Sequence, residues 1–315
     1  MKRPAATSTW FLRLYAGCFF SSNAAVGALI FAATAIEPRS GILAALAVAT
    51  AVGTASALGL ISEAHPPDVY AYSALFIGMG ATHTFASPVL AFVLATLGAA
   101  AATVLTAAVR GMLQRFGLPS LTLPFALVYL CAISAGRALG ASWAPVPLPV
   151  PAPYLDFLPA VVQLFFQSLG AILFSPHIEV GFVVFIALCA SSLHAPLLAM
   201  LAFAITFALA RWLALPPVVG FIALINATFT AIGLGIAYVP RWRGYLRASA
   251  GAFSCVLLCV ALAEPLGRLQ LTPLSLPFNL SIYAVLLIDN LRASQSSTGK
   301  GRDHGYQRNA AVSYG

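Results

Sequence analysis

The chain contains the same pieces twice, in the same order and at one spacing. Leu118–Leu127 (LPSLTLPFAL) returns 153 residues later as Leu271–Leu280 (LTPLSLPFNL), and Ser73–Gly80 (SALFIGMG) returns at the same offset as Asn226–Gly233 (NATFTAIG). Near the start of each copy, Phe20 and Gly27 correspond to Phe174 and Gly181, offset by 154. Ordered recurrence at a fixed period marks one structural unit used twice. The copies are placed at residues 1–143 and 157–292, with the Pro-rich stretch 144–156 as the linker and the polar tail 293–315 read as disordered.

What each unit can fold into depends on its medium. Only 8% of the residues are charged and 61% are hydrophobic. A soluble surface of this size needs about a quarter of its residues charged, so the medium is lipid. The net charge of +8 comes from residues scattered between apolar runs and at the termini, which argues against nucleic-acid binding. Cys18, Cys131, Cys189, Cys255 and Cys259 lie in apolar runs without metal-ligand spacing and read as buried hydrophobes. No catalytic, metal or cofactor constellation is present in the pattern.

Apolar spans fall at about 8–22, 24–37, 41–62, 85–109 and 120–137, and again at about 157–174, 178–191, 194–211, 248–265 and 274–291. A shorter run in each copy, 70–84 and 218–236, is predicted to be a re-entrant pore helix, because short Gly-interrupted segments at matching positions point to a binding site. The expected fold is therefore an all-α membrane protein of ten transmembrane helices in two repeats of five, each with one short re-entrant helix. Five crossings is an odd number, so the second copy inserts upside down. With the N-terminus inside, fourteen of the sixteen basic residues fall on the inner side, and only Arg137 and Arg268 fall outside. Both termini are then cytoplasmic, in the cell (inner) membrane.

Three sets of residues are candidates for a permeation route. Thr122 and Ser275 stand two residues before Pro124 and Pro277, and mirrored copies could bring their uncharged hydroxyls face to face. A single copy would read as a helix start with a Ser/Thr cap; duplication favours the pore. Ser73 and Asn226 lie in the short runs, whose ends would leave backbone groups for lining. Phe20, Phe174, Phe76 and Phe229 could wall a slot for a flat solute. Glu179, beside His177, is the one acidic residue placed where a buried carboxylate for ion coupling could stand. An ion-coupled transporter and a non-conducting scaffold are the alternatives.

At these residues the sequence resembles the urea transporter family. Leu118–Phe125 is similar to the family's LPxxTxPF motif; the second copy keeps Pro277-Phe278 with Ser275 for Thr. Asn226–Gly235 resembles the family's pore segment, and Ser73 replaces the Asn in the first copy. Phe19–Gly27 and Ser168–Phe174 also look like family sequence, so the likeness covers roughly 10–292. It implies a homotrimer in a lipid bilayer whose protomers each pass urea, or a similar small amide, down its gradient. The constriction would fall at Thr122 and Ser275, between slots at Phe20 and Phe174. Polar ladders would come from Tyr72, Ser73, Phe76 and Ile77, and from Ile225, Asn226, Phe229 and Thr230. The family's Gln or Glu at the pore mouths correspond here to Gly17 and Ala171.

Overall fold

A computed structural model describes residues 9–62, 65–144, 149, 153–238 and 242–299. The expected linker falls largely outside these residues; of the tail expected to be disordered, 293–299 continue the last helix and the rest falls outside. Among the described residues there are twelve helices. In the first copy they are α1 (Trp10–Ala16, with a 3-10 turn to Phe19), α2 (Ala24–Ala35), α3 (Pro38–Ala57), α4 (Asp68–Ala81), α5 (Pro88–Phe116) and α6 (Leu123–Ala138). In the second they are α7 (Ala160–Ala171), α8 (Ile178–Ser191), α9 (His194–Trp212), α10 (Pro217–Tyr238), α11 (Trp242–Arg268) and α12 (Leu276–Gly299). Five of them, α3, α5 and α9 to α11, are long and apolar enough to cross a membrane. The fold is all-helical and its composition is that of a membrane protein.

The broken elements are not the ones predicted. The 218–236 run lies inside α10, an uninterrupted helix of 22 residues, and the 70–84 run is largely α4, 14 residues long. Glycines led to the opposite expectation, yet Gly78 and Gly233 serve packing: a Cβ on Gly78 would run into the backbone of Leu43 and Ala44 on α3, and one on Gly233 would press on Phe20 and Ile282. The break lies instead between α1 and α2, which bend by 80° across residues 20–23. Its counterpart is the turn at 172–177 between α7 and α8.

Backbone conformation repeats with the sequence. Residues with left-handed backbone pair as Phe20 with Phe174, Gly59 with Ala214, Gly117 with Gln270, and Leu121 with Leu274. The glycine contacts repeat too. A Cβ on Gly27 would collide with the Leu12 carbonyl, and one on Gly181 with the Phe166 carbonyl, so helices α1/α2 and α7/α8 cross at contact distance in the same way.

Counting α1 with α2 as one broken crossing changes which ends meet. Glu37, after α2, contacts His83, after α4; Ala86 and Thr84 bond Ser142 and Ala144, after α6. The start of α3, the end of α4, the start of α5 and the end of α6 thus share one end of the bundle. Arg39 joins Arg137 there, and Arg211 and Arg268, at the ends of α9 and α11, flank Val218 and Gln270 of the same cavity mouth. The expectation that Arg39 and Arg211 lie on the side opposite Arg137 and Arg268 is therefore corrected: it counted α1 and α2, and likewise α7 and α8, as two full spans. Cys18, Cys255 and Cys259 are buried, whereas Cys131 and Cys189 are exposed on the bundle's outside.

Candidate functional site

Two helix faces wall a cavity of about 380 Å³. On α6 the lining residues are Phe125, Tyr129, Ile133 and Arg137, continuing the stripe that Thr122 begins; steps of three and four residues keep them on one face. At a rise of ~1.5 Å per residue this stripe is about 22 Å long. On α10 the face is Val218, Phe221, Ile222, Ile225, Asn226 and Phe229. The turn at 172–177 closes a third side through Ile172, Phe174 and Pro176, with Ala171 at the end of α7. Arg137, Trp143 and Gln270 mark the mouth, where the Arg137 guanidinium donates to Gln270 Oε1 and stacks over the Trp143 ring at 5.4 Å.

Thr122 and Ser275 form the floor. Thr122 Oγ1 donates to Ser275 Oγ at 2.8 Å across the 153-residue separation. Thr122 occupies the N-cap position of α6, yet its side chain makes no capping bond. The hydroxyl is committed to the other copy instead, so the simple cap reading fails. Pro124 and Pro277 stand in the first turns of α6 and α12. A missing N–H costs nothing there, because the first turn has no partner for it. Leu121 and Leu274, left-handed at φ 46° and 48°, make the sharp turns that bring the two hydroxyls together. Asn279, unmarked in the sequence reading, completes the group. It is fully buried on α12, and its Nδ2 donates to Thr122 Oγ1 at 2.9 Å and to the Ser275 carbonyl at 2.7 Å.

The aromatic residues assemble across the copies. Phe174 rests on Phe125 and Tyr129 of the first copy, with ring centroids 6.0 and 6.1 Å away, and stacks on His83 at 6.5 Å. Phe20 rests on Phe229 and Phe278 of the second copy at 5.5 and 6.5 Å. Phe76 and Phe229 meet edge to face at 6.0 Å. Each loop phenylalanine has left-handed backbone, φ 56° for Phe20 and 61° for Phe174, uncommon for a bulky side chain.

Seven of the twelve candidate residues line the cavity: Thr122, Ser275, Phe76, Phe174, Ile225, Asn226 and Phe229. Phe20 and Tyr72 lie behind Phe229 and Phe76, in ring contact with them and with each other. Ile77 is buried in the core, and Thr230 turns its hydroxyl to the Asn226 carbonyl at 2.8 Å. Ser73 is buried, and its hydroxyl has no hydrogen-bond partner among the described residues. Asn226 gives its amide nitrogen to the Ile222 carbonyl at 3.0 Å. Glu179 is exposed and lines no wall. The acidic group that matters structurally is Glu37, beneath the His83 side of the cavity. It contacts His83 Nε2 at 3.0 Å and His177 Nε2 at 3.3 Å, and accepts from Ser175 Oγ at 2.6 Å. Charge spacing alone could not reveal it, since its partners come from two distant parts of the chain, His83 and the turn holding Ser175 and His177. Burial alone would push the Glu37 carboxyl up. The bonds from His83 and Ser175 and the charges of both histidines outweigh it and hold the group below its ordinary 4.5.

A largely apolar cavity ending on uncharged hydroxyls agrees with what the chain matches as a whole. The family model described as urea transporter matches residues 8–290. The chain belongs to the urea transporter family. It is thus a multi-pass membrane protein of a transporter family, not of an enzyme family, and urea is the solute that membership implies. No curated protein matches the chain.

Proposed function

We propose that the protein is a passive channel for urea, or a similarly small neutral amide, in the cytoplasmic membrane. The observation that carries this reading is the Thr122–Ser275 hydroxyl pair on the cavity floor, contributed by equivalent positions of the two copies. A constriction of neutral hydroxyls and aromatic faces accommodates a flat polar solute while holding no ion strongly. Among the described residues the wall contains no aspartate or glutamate, and its one permanent charge, Arg137, is at the mouth. This favours uncoupled passage over an ion-coupled cycle, which needs a carboxylate on the route.

The route in this reading passes from the mouth by Phe174, over Thr122 and Ser275, and on past Phe20, with Ser73 and Asn226 as polar stations on either side of the floor. Tyr72, Ile77 and Thr230 support it from behind. The two halves, 1–143 and 157–292, are inverted copies. Their matched helices support this: α6 runs toward the cavity mouth, whereas α12 runs from the floor toward Asn290, which bonds Phe116 at the far end of α5. Arg110, Arg115, Arg243, Arg247 and Arg292 sit toward that far end, which we assign to the cytoplasm together with both termini. Assembly as a homotrimer follows the family resemblance.

Stopped-flow light scattering of reconstituted vesicles tests the reading. Urea equilibration should be fast, proportional to the urea gradient and indifferent to proton or sodium gradients. Folded protein that moves urea no faster than empty vesicles would end the proposal.

A further inference from the structure

We propose that Asn279 is a specificity-determining positioning residue. It fixes the direction of the hydrogen-bond chain on the cavity floor so that Ser275 presents a hydroxyl proton to a solute carbonyl oxygen. This deepens the channel reading above and rests on it.

The direction follows from chemistry. The backbone carbonyl of Ser275 can only accept, so the Asn279 side-chain atom 2.7 Å from it is the amino nitrogen. One proton of that NH2 is used there, and the other goes to Thr122 Oγ1 at 2.9 Å. Thr122 Oγ1, now an acceptor, sends its own proton to Ser275 Oγ at 2.8 Å. Ser275 Oγ is then an acceptor too, and its proton has no partner among the described residues. Ser275 lines the cavity and is the less buried of the pair. The chain Asn279–Thr122–Ser275 therefore ends in a donor aimed at the solute, and successive bonds of this kind polarise one another.

The cost of Asn279 shows that packing does not require it. Its Oδ1 is buried without a hydrogen-bond partner among the described residues, an unfavourable state. The equivalent position of the first copy is Ala126, also fully buried. The duplicated fold thus accommodates alanine at this site. With alanine in both copies, either hydroxyl could donate to the other and the floor would have no fixed polarity. Asn279 breaks that symmetry. The solutes favoured are small uncharged molecules that lead with a carbonyl oxygen. Water, which donates and accepts equally, gains little from a fixed direction.

Stopped-flow measurements on reconstituted wild type, N279A, S275A, T122A and N279A/S275A would read urea, formamide and osmotic water permeation. A lost charge-neutral hydrogen bond predicts urea and formamide flux in N279A lower by about three- to tenfold, with water changed by less than about twofold. S275A should lose at least as much, and the double variant no more than S275A. T122A should lose less than S275A, because Asn279 Nδ2 lies 3.4 Å from Ser275 Oγ and can still donate to it. Unchanged urea flux in N279A, parallel loss of urea and water, or multiplying losses in the double variant would each overturn the proposal. Should N279A not fold, the ranking of S275A and T122A decides, and a greater loss in T122A overturns it. Wild-type vesicles without urea flux would refute the channel reading itself; wild-type flux with an unaltered N279A refutes this inference alone.

Discussion

Single residues set this architecture where the backbone must do something unusual. Gly27 and Gly181 are the clearest case. The space a Cβ would fill at each is taken by a carbonyl oxygen of the crossing helix, Leu12 or Phe166, and a backbone carbonyl cannot step aside as a side chain can. Gly27→Ala and Gly181→Ala should therefore each separate a broken helix pair and destabilise the fold by roughly 1–3 kcal/mol. A drop in thermal unfolding temperature in detergent would register this, and Gly53→Ala, inside α3 with nothing within 4 Å of its Cβ, should hold or slightly raise the temperature. Equal behaviour of all three variants would contradict the close crossing. These glycines were visible in the sequence as a matched pair; the use made of them was not, because a helix crossing joins residues about fifteen apart whose contact no local pattern encodes. Asn279 was missed for a related reason. Its only sequence signal was a difference between the copies, Asn279 against Ala126, inside a motif otherwise read for its likeness.

At the scale of elements, apolar runs located the described helices but misjudged which were interrupted. Length was the misleading cue. α4 is short and rich in glycine, yet its glycines seat it antiparallel against α3, with Ser40 Oγ donating to the Met79 carbonyl at 3.2 Å. The real interruptions follow Phe20 and Phe174, where left-handed backbone at a bulky residue turns the chain. One such turn, at 172–177, is tied to the α2–α3 corner by Glu37, and that tie depends on pH. The folded Glu37 carboxyl is held below its ordinary 4.5, so its contribution to stability is present above that value and is lost as pH falls through the folded pKa. Thermal stability should consequently fall on acidification below 4.5, and Glu37→Gln should lower stability at neutral pH while flattening the acid response. Unfolding temperatures of wild type and E37Q across that range provide the check; parallel curves would show that Glu37 is not the titrating tie.

For the whole molecule, the duplication was legible because both copies kept their turn-forming segments in register, and the membrane medium was legible because charge is so sparse. The sidedness of individual loops was less so: one miscounted crossing in each copy moved Arg39 and Arg211 to the wrong end. What makes the molecule one functional object is that neither copy holds a complete floor. Thr122 comes from the first, Ser275 and Asn279 from the second, and each loop phenylalanine leans on the opposite copy. The two halves should therefore stay joined at the floor when the chain between them is cut. Hydroxyls 2.8 Å apart place their β-carbons within the range a disulfide can bridge with small adjustment. In a T122C/S275C variant carrying a protease site between residues 145 and 152, oxidation followed by cleavage should leave a full-length band on a denaturing gel. Reduction should resolve that band into two fragments. The single-cysteine controls should resolve into fragments under both conditions, because only one half then contributes a thiol to the floor. Two fragments from the oxidised double variant would mean that the halves do not meet at these residues, and the shared floor would have to be abandoned even if the protein conducts urea.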